Sequence, residues 1–469
     1  MRIRTLRQSM AAVLVFAFSG LIIAAPLQLD PTFGSGGTVV ALQPVSSYDK
    51  SSVSVCTNGT FYTTTYSAIS PFGSVISRYL ANGTLDAGFP GITFPAQSIV
   101  GVACSNNGGV LALDLDYLSP VPKLTVRHYR PNGTADPAYV MAPTAVVPSL
   151  FRLPRLFVKD ANDGIVLVGE SASGSPTSLY AIRYTPTGVF DTSFGLRVVS
   201  PSSGGEIGVS DVALDSAGRI LILSHQFDLT FSPPTPTIQS NWVSAVTRLL
   251  PSGAVDSSYG VNGSYLDGPY GPFPLGSGGV GYSNLGVDLS GAAYMINSSC
   301  PTSRIRKLSP SGSVDTTFGV GGNLTFGASL FCARSATVGA DGALYVAGFT
   351  GGLYPSRHDG TVIKLATANG AIDSSFGQNG LLQLLNTPLG SEFNALAFTP
   401  SGKLLTWGFQ TYVVSNVSAP VYPLLAQFGT TTPTNVPTLS VSALALLALL
   451  LAAGATFTGV ARRSKEENN

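Results

Sequence analysis

The sequence has little charge and few of the residues on which catalysis depends. Only 10% of its 469 residues are charged, and its 25 basic residues nearly cancel its 24 acidic ones. A chain so close to neutrality has no basic surface for nucleic acid, so we expect no nucleic-acid partner. The histidines, His128, His225 and His358, are scattered and fit no H-x-x-x-H spacing. No metal site is therefore predicted.

The short motifs of common catalytic and nucleotide-binding sites are also missing. The sequence contains no G-x-S-x-G elbow, no P-loop and no C-x-x-C pair. Asp114 and Asp116 share one face of a predicted strand. They are either a catalytic carboxylate pair or, more commonly, part of a solvated face. We predict no cofactor, no catalytic residue and no enzymatic activity.

The N-terminus has the parts of a secretory signal peptide. Residues 1–25 join a basic stretch ending at Arg7 to a short apolar run and a final Ala24-Ala25 pair. An uncleaved N-terminal anchor is the alternative. Either reading predicts export.

A seven-fold repeat fills the region between the two ends. Its signature is Gly-x-x-Asp-x-x-Phe/Tyr, and the spacings between its aspartates run from 50 to 65 residues. The signature aspartates and aromatics are Asp30, Phe33, Asp86, Phe89, Asp136, Tyr139, Asp191, Phe194, Asp256, Tyr259, Asp315, Phe318, Asp373 and Phe376. Seven copies at a near-constant period predict one array of repeated units.

Each period also contains short apolar runs separated by Asp, Ser and Gly turns, which predict about four strands per period. Four short strands per ~40–60 residues are typical of a β-propeller blade. We therefore predict an all-β, seven-bladed propeller at 29–429, with a signal helix before it and one transmembrane helix after it. The ring should close by pairing the chain near Val39 with the chain near Leu424.

The signature has a structural interpretation. Its glycine suits a tight turn, its aspartate can accept hydrogen bonds from the following backbone N–H groups, and its aromatic side chain can pack between blades. A basic residue precedes the aspartate by eight positions, as in Arg183/Asp191 and Arg248/Asp256, so we expect ion pairs. A ring of calcium ligands is the weaker hypothesis, because each period supplies a single carboxylate.

Four cysteines occur, at Cys56, Cys104, Cys300 and Cys332. An even number permits two disulfides in an oxidising compartment, whereas buried free thiols are the alternative.

The repeated signature, with its upstream Arg-Leu strand and its Ser-x-Gly hairpin, resembles the delta-60 repeat family from about Leu29 to Phe428. The resemblance implies a bacterial, exported propeller. It implies no catalytic residue.

The C-terminus resembles an IPTL-type sorting signal of the kind that exosortase-like membrane enzymes read. A linker with the motif Val436, Pro437, Thr438 and Leu439 occupies 430–440, an apolar run 441–460, and a basic tail 461–469. The apolar run is long enough to span a membrane, and the basic tail predicts a cytoplasmic end. A sorting protease and the membrane are the implied partners. A permanent anchor is the alternative.

Three functions fit the sequence. The first, which we favour, is a surface-displayed or released propeller that binds a protein or glycan ligand or has a structural role. The second is an enzyme acting on extracellular polysaccharide, a lyase or glycosidase. The third is an envelope scaffold that binds only other proteins.

We expect the C-terminal signal to be cleaved near Val436–Leu439. A permanent anchor needs only an apolar span and basic residues. The motif around Pro437 is not needed for anchoring, and its extended backbone suits recognition by a processing enzyme. Mass spectrometry of the mature protein checks this. If the mature membrane-bound protein yields peptides ending in Asn469 and no shorter form, only the permanent-anchor interpretation remains.

Overall fold

The computed structural model describes residues 27–40, 53–67, 73–95, 98–116, 123–139, 151–171, 178–199, 206–230, 238–270, 273–274, 281–300, 302–327, 331–351, 358–385, 390–411 and 421–430. The proposed signal peptide, sorting motif and transmembrane helix lie outside these residues. No helix among the described residues is long and apolar enough to cross a membrane. The stretch Pro26–Gly429 forms one compact unit.

The strands are numbered in chain order, beginning with β1 (Leu27–Leu29) and β2 (Thr38–Val40), which belong to the last blade. Blade one consists of β3 (Val53–Val55), β4 (Phe61–Ser67), β5 (Gly73–Tyr79) and β6 (Ile92–Pro95). Blade two consists of β7 (Ser98–Cys104), β8 (Val110–Asp116) and β9 (Lys123–Tyr129). Blade three consists of β10 (Phe151–Lys159), β11 (Ile165–Ser171), β12 (Leu179–Tyr184) and β13 (Arg197–Val199).

Blade four consists of β14 (Glu206–Leu214), β15 (Ile220–Thr230), β16 (Ile238–Leu249), β17 (Ser264–Tyr270) and β18 (Phe273–Pro274). Blade five consists of β19 (Asn284–Val287), β20 (Ala293–Asn297), β21 (Arg304–Leu308) and β22 (Asn323–Thr325). Blade six consists of β23 (Cys332–Val338), β24 (Leu344–Gly351), β25 (His358–Leu365) and β26 (Leu381–Gln383). Blade seven joins β27 (Ser391–Phe398), β28 (Leu404–Thr411) and β29 (Val421–Thr430) to β1 and β2.

The blades form a closed ring. The first strand of each blade contacts the first strand of the next, and β27 of blade seven contacts β3 of blade one. The first strands therefore surround the propeller axis. The second strand of blade five, β20, is buried along its whole length because each sheet is covered on both faces by its neighbours. The core accordingly lies between the blades rather than at one centre.

Ring closure takes place in blade seven, as the sequence predicts. β2 pairs with β29 in antiparallel register, so that Val39 is opposite Leu425 and Val40 is opposite Leu424. The N-terminal strands thus complete a sheet whose other strands come from the C-terminal end of the chain. The seven-bladed, all-β prediction is confirmed.

The two ends of the propeller differ. Because neighbouring strands are antiparallel, the turn between the first and second strands and the signature between the third and fourth strands share one end, here called the turn end. Connections between the second and third strands, and between blades, share the opposite end, here called the loop end. At the turn end the first two strands are separated by five residues in every blade, for example 56–60 in blade one and 399–403 in blade seven. At the loop end the connections vary in length, from 96–97 between β6 and β7 to 41–52 between β2 and β3.

Candidate functional site

Each signature aspartate organises its own turn. In blade four, Asp256 Oδ1 accepts hydrogen bonds from the Ser258 backbone nitrogen at 3.2 Å and from its hydroxyl at 2.5 Å. The same acceptor role recurs in all seven copies, with donors at Thr32, Gly88, Ala138, Ser193, Thr317 and Ser375. The aspartates therefore close Asx-type turns, the role that the repeat predicts.

The second oxygen of the aspartate accepts from a basic residue of the third strand. Arg248 Nε lies 2.8 Å from Asp256 Oδ2, and Arg183 Nε lies 2.7 Å from Asp191 Oδ2, so both expected pairs are present. The equivalent pairs are Arg78–Asp86, His128–Asp136, Lys307–Asp315 and Lys364–Asp373. Charge-assisted hydrogen bonds of this kind are stronger than neutral ones.

The basic residue also connects neighbouring blades. Arg248 Nη1 donates to the Pro310 carbonyl of blade five at 2.5 Å, and Arg183 Nη1 donates to the Pro251 carbonyl of blade four at 2.7 Å. Lys307 Nζ donates to the Thr367 carbonyl of blade six at 2.8 Å. One side chain thus fixes its own turn and the next blade's turn together.

The signature aromatic fills the space between two blades. Phe318 is fully buried, and a Cβ atom on Gly370 of the next signature would lie 3.1 Å from its ring. Gly370 also has a φ of +73°, a conformation that favours glycine. Both the turn and the neighbouring ring therefore require glycine at this position. All seven signature aromatics are buried.

Blade seven obtains its basic residue elsewhere. Gln427 occupies the third-strand position, and Lys403 of the β27–β28 turn contacts Asp30 instead, with Nζ and Oδ2 2.5 Å apart. This pair joins residues 373 positions apart. The repeat pattern in the sequence did not predict this pair. The signal for it is Gln427 itself, because a glutamine in place of the third-strand basic residue leaves Asp30 to pair with a cation from another strand or turn.

Serine side chains hold neighbouring blades together toward the loop end. Ser74, Ser244 and Ser303 each lie four residues before the basic residue of the third strand. Their hydroxyl oxygens accept from the backbone nitrogens of Ile99, Tyr282 and Ala333 in the next blade. Sequence reasoning missed this Ser-x-x-x-basic spacing because only three of the blades have it.

The four cysteines form two pairs. Cys56–Cys104 joins blades one and two, and Cys300–Cys332 joins blades five and six, with Cα–Cα distances of 5.3 Å and 5.8 Å. The disulfides therefore act as clips between neighbouring blades.

The remaining candidate residues are not brought together. The three histidines lie in blades two, four and six and contact Asp136, Ser210 and Glu392 respectively. Asp114 is buried and pairs with Arg127 Nη2 at 2.9 Å, so the solvated-face interpretation is wrong for this residue. The side chain of Asp116 lies outside the described part. Within the described part of the chain, no group of three or more His, Cys, Asp or Glu residues is placed to hold a metal ion.

A charged cluster at the loop end is shared by blades six and seven. His358 Nδ1 of blade six lies 2.6 Å from Glu392 Oε1 of blade seven, and Arg334 Nη2 lies 3.8 Å from Glu392 Oε2. The ring of Phe349 stacks on His358 with centroids 4.2 Å apart, and the Arg334 guanidinium lies 5.2 Å from the same ring. These groups belong to no repeat signature, so they are the best candidate for a function specific to this chain.

Known proteins agree with the fold. A family model described as a domain of unknown function (DUF5122) beta-propeller matches residues 161–194, which contain β11, β12 and the signature up to Phe194. No curated protein matches the chain.

Several solved structures are similar at low identity. The crystal structure of polysaccharide lyase Uly1 has 12% identity and a TM-score of 0.46, with 87% of this chain and 98% of that chain covered. YCF48 bound to D1 peptide has 11% identity and a TM-score of 0.46, with 87% and 99% covered. The PQQ-bound aldose sugar dehydrogenase from Streptomyces coelicolor has 12% identity and a TM-score of 0.36, with 83% and 98% covered.

Replacement of Phe318 by Ala is expected to reduce the free energy of unfolding by about 3–5 kcal/mol, because it removes a fully buried ring. Chemical denaturation of the variant measures the loss. Phe318→Leu is the matched control, which keeps much of the apolar volume and should lose less. A Phe318→Ala variant as stable as the wild type would contradict the packing role.

The signature aspartates should make the fold sensitive to acid. Hydrogen bonds from Ser193, Arg183 and the Phe194 backbone, together with the charge of Arg183, lower the pKa of Asp191 to about 2 against the opposing effect of burial. Because the folded pKa is below the unfolded one, this stabilisation is complete above the unfolded value of 3.8 and is lost as the pH falls toward 2.

We therefore expect Asp191→Asn to be less stable than the wild type at neutral pH, with a difference that narrows between pH 4 and pH 2. Urea unfolding across this range measures it. Ser193→Ala removes only the hydroxyl donor. Its difference in stability from the wild type should therefore narrow less over the same pH range. A difference that stays constant with pH would refute the role of Asp191.

Proposed function

We propose that the chain is an exported, non-catalytic propeller that binds a ligand or serves in structural display at the cell surface or envelope. Membrane association would come from the C-terminal sorting signal. The loop end would be the face that meets the ligand.

The contrast between the two ends carries this proposal. At the turn end, the turn length is the same in every blade and the signature side chains are engaged with one another. At the loop end, the connections differ in length from blade to blade. Loops held on a rigid scaffold commonly carry binding residues, so the variable end is the favoured binding face.

Two further observations support export and display. The cysteine pairs suit an oxidising compartment, where disulfides form and persist. The last strand, β29, runs toward the turn end, where Phe428 is opposite Leu404 beside the β27–β28 turn. The chain therefore leaves the propeller at the end opposite to the variable loops.

The alternative is an enzyme that acts on extracellular polysaccharide. The His358–Glu392 pair favours this candidate, because a histidine oriented by a carboxylate is a common general base. Arg334 beside it could neutralise an acidic group.

We expect whole-cell labelling to reach an epitope tag inserted between β28 and β29 at the loop end. The purified protein should release no reducing ends and no unsaturated products from polysaccharides. A matched tag inserted after Gly370 should prevent folding, because that turn touches Phe318. Failure of intact cells to react at the loop-end tag would refute surface display, and steady product formation would establish the enzyme instead.

A further inference from the structure

Arg334 differs from the other arginines of the chain. The other nine arginines whose side chains the structure describes each have a nitrogen within 3.5 Å of an acceptor oxygen. Arg334 Nη2 instead lies 3.8 Å from Glu392 Oε2, which is beyond hydrogen-bond distance. Among the described residues, the buried Nε atom of Arg334 has no hydrogen-bond partner. The side chain as a whole is 34% exposed, so the terminal nitrogens of the guanidinium can reach a ligand.

The position of Arg334 suits a binding role. It is the extra residue of a β-bulge in β23, between Ala333 and Ser335, close to the loop end of a strand that surrounds the axis. The same bulge recurs at the equivalent place in β7, β14 and β27, so it belongs to the scaffold, and the arginine at this position is what distinguishes β23. The Arg334 guanidinium lies against the Phe349 ring, 5.2 Å from its centroid, and the side chain is only partly covered.

The neighbouring charges limit what can bind. Glu392 already contacts His358 at 2.6 Å, and its negative charge lies near Arg334 without a hydrogen bond to it. Glu392 would repel a phosphate dianion more strongly than it would repel a single carboxylate. Glu392 is also an acceptor, so it favours a ligand that has hydroxyl donors beside its carboxylate. A uronic acid has both groups on one ring, whereas an acidic peptide side chain has only the carboxylate.

We propose that Arg334 anchors the carboxylate of an acidic saccharide at the loop end, between blades six and seven, with Glu392 accepting from the sugar's hydroxyl groups. Arginine presents a planar fork that matches a carboxylate. This inference rests on the proposed binding function and names its ligand class.

Calorimetric titration of the full propeller with trigalacturonate tests the site. The wild type should bind it, and Arg334→Gln should weaken binding at least 10-fold, the effect of losing one charge-assisted contact. Arg334→Lys retains the positive charge but not the planar fork. Its affinity for trigalacturonate should lie between those of the wild type and Arg334→Gln. Arg130→Gln is the matched control, since it removes an exposed arginine at the turn end, and it should bind like the wild type.

Three further titrations test whether the site recognises an acidic saccharide rather than a neutral saccharide, an acidic peptide or phosphate. The neutral galactose trimer, a glutamate tripeptide and inorganic phosphate should each bind at least 10-fold more weakly than trigalacturonate. Equal binding of the peptide or of phosphate would overturn the saccharide assignment. No binding of trigalacturonate, or equal binding by Arg334→Gln with an unchanged melting temperature, would overturn the site. Neither binding result would refute surface display, because whole-cell labelling at the loop end tests display separately.

Discussion

The contact between one signature and the next is the interaction on which the ring depends. A blade cannot bury both faces of its own sheet, so its stability comes from its neighbours. In blade four, Arg248 holds Asp256 of its own turn and reaches the Pro310 carbonyl of blade five. The aromatic side chain beside this pair fills the same interface, and the glycine of the next signature leaves room for it. Polar and apolar contacts are therefore made by one short motif.

Closure of the ring imposes a second constraint. The blade that joins the two ends of the chain cannot take its aspartate and its basic residue from one continuous segment. The N-terminal segment supplies Asp30, and Lys403 supplies the charge that Gln427 lacks. The pairing of β2 with β29 and this ion pair fasten the ring where no covalent connection exists. The two disulfides strengthen other boundaries, between blades one and two and between blades five and six.

The difference between the turn end and the loop end follows from these constraints. The turn end is occupied by contacts that every blade repeats, so variation there would disrupt the ring. The loop end is free of the signature and differs from blade to blade. Arg334, His358 and Glu392 meet there because blades six and seven bring β23, β25 and β27 together. Their combination of an available guanidinium and an acceptor carboxylate is local chemistry that the scaffold does not need.

The sequence by itself determined the repeat, the number of blades, the aspartate turns and the pairing of each third-strand cation with its aspartate. These features are local: Arg248 and Asp256 are eight residues apart, so one period contains the whole interaction. The tertiary structure alone decided which residues meet across blades. Lys403 and Asp30 lie at opposite ends of the propeller sequence, and the Ser74, Ser244 and Ser303 hydroxyls find their partners in the following blade. The cluster at Arg334 is of the same kind, because Glu392 of blade seven meets Arg334 and His358 of blade six only across the boundary between the two blades.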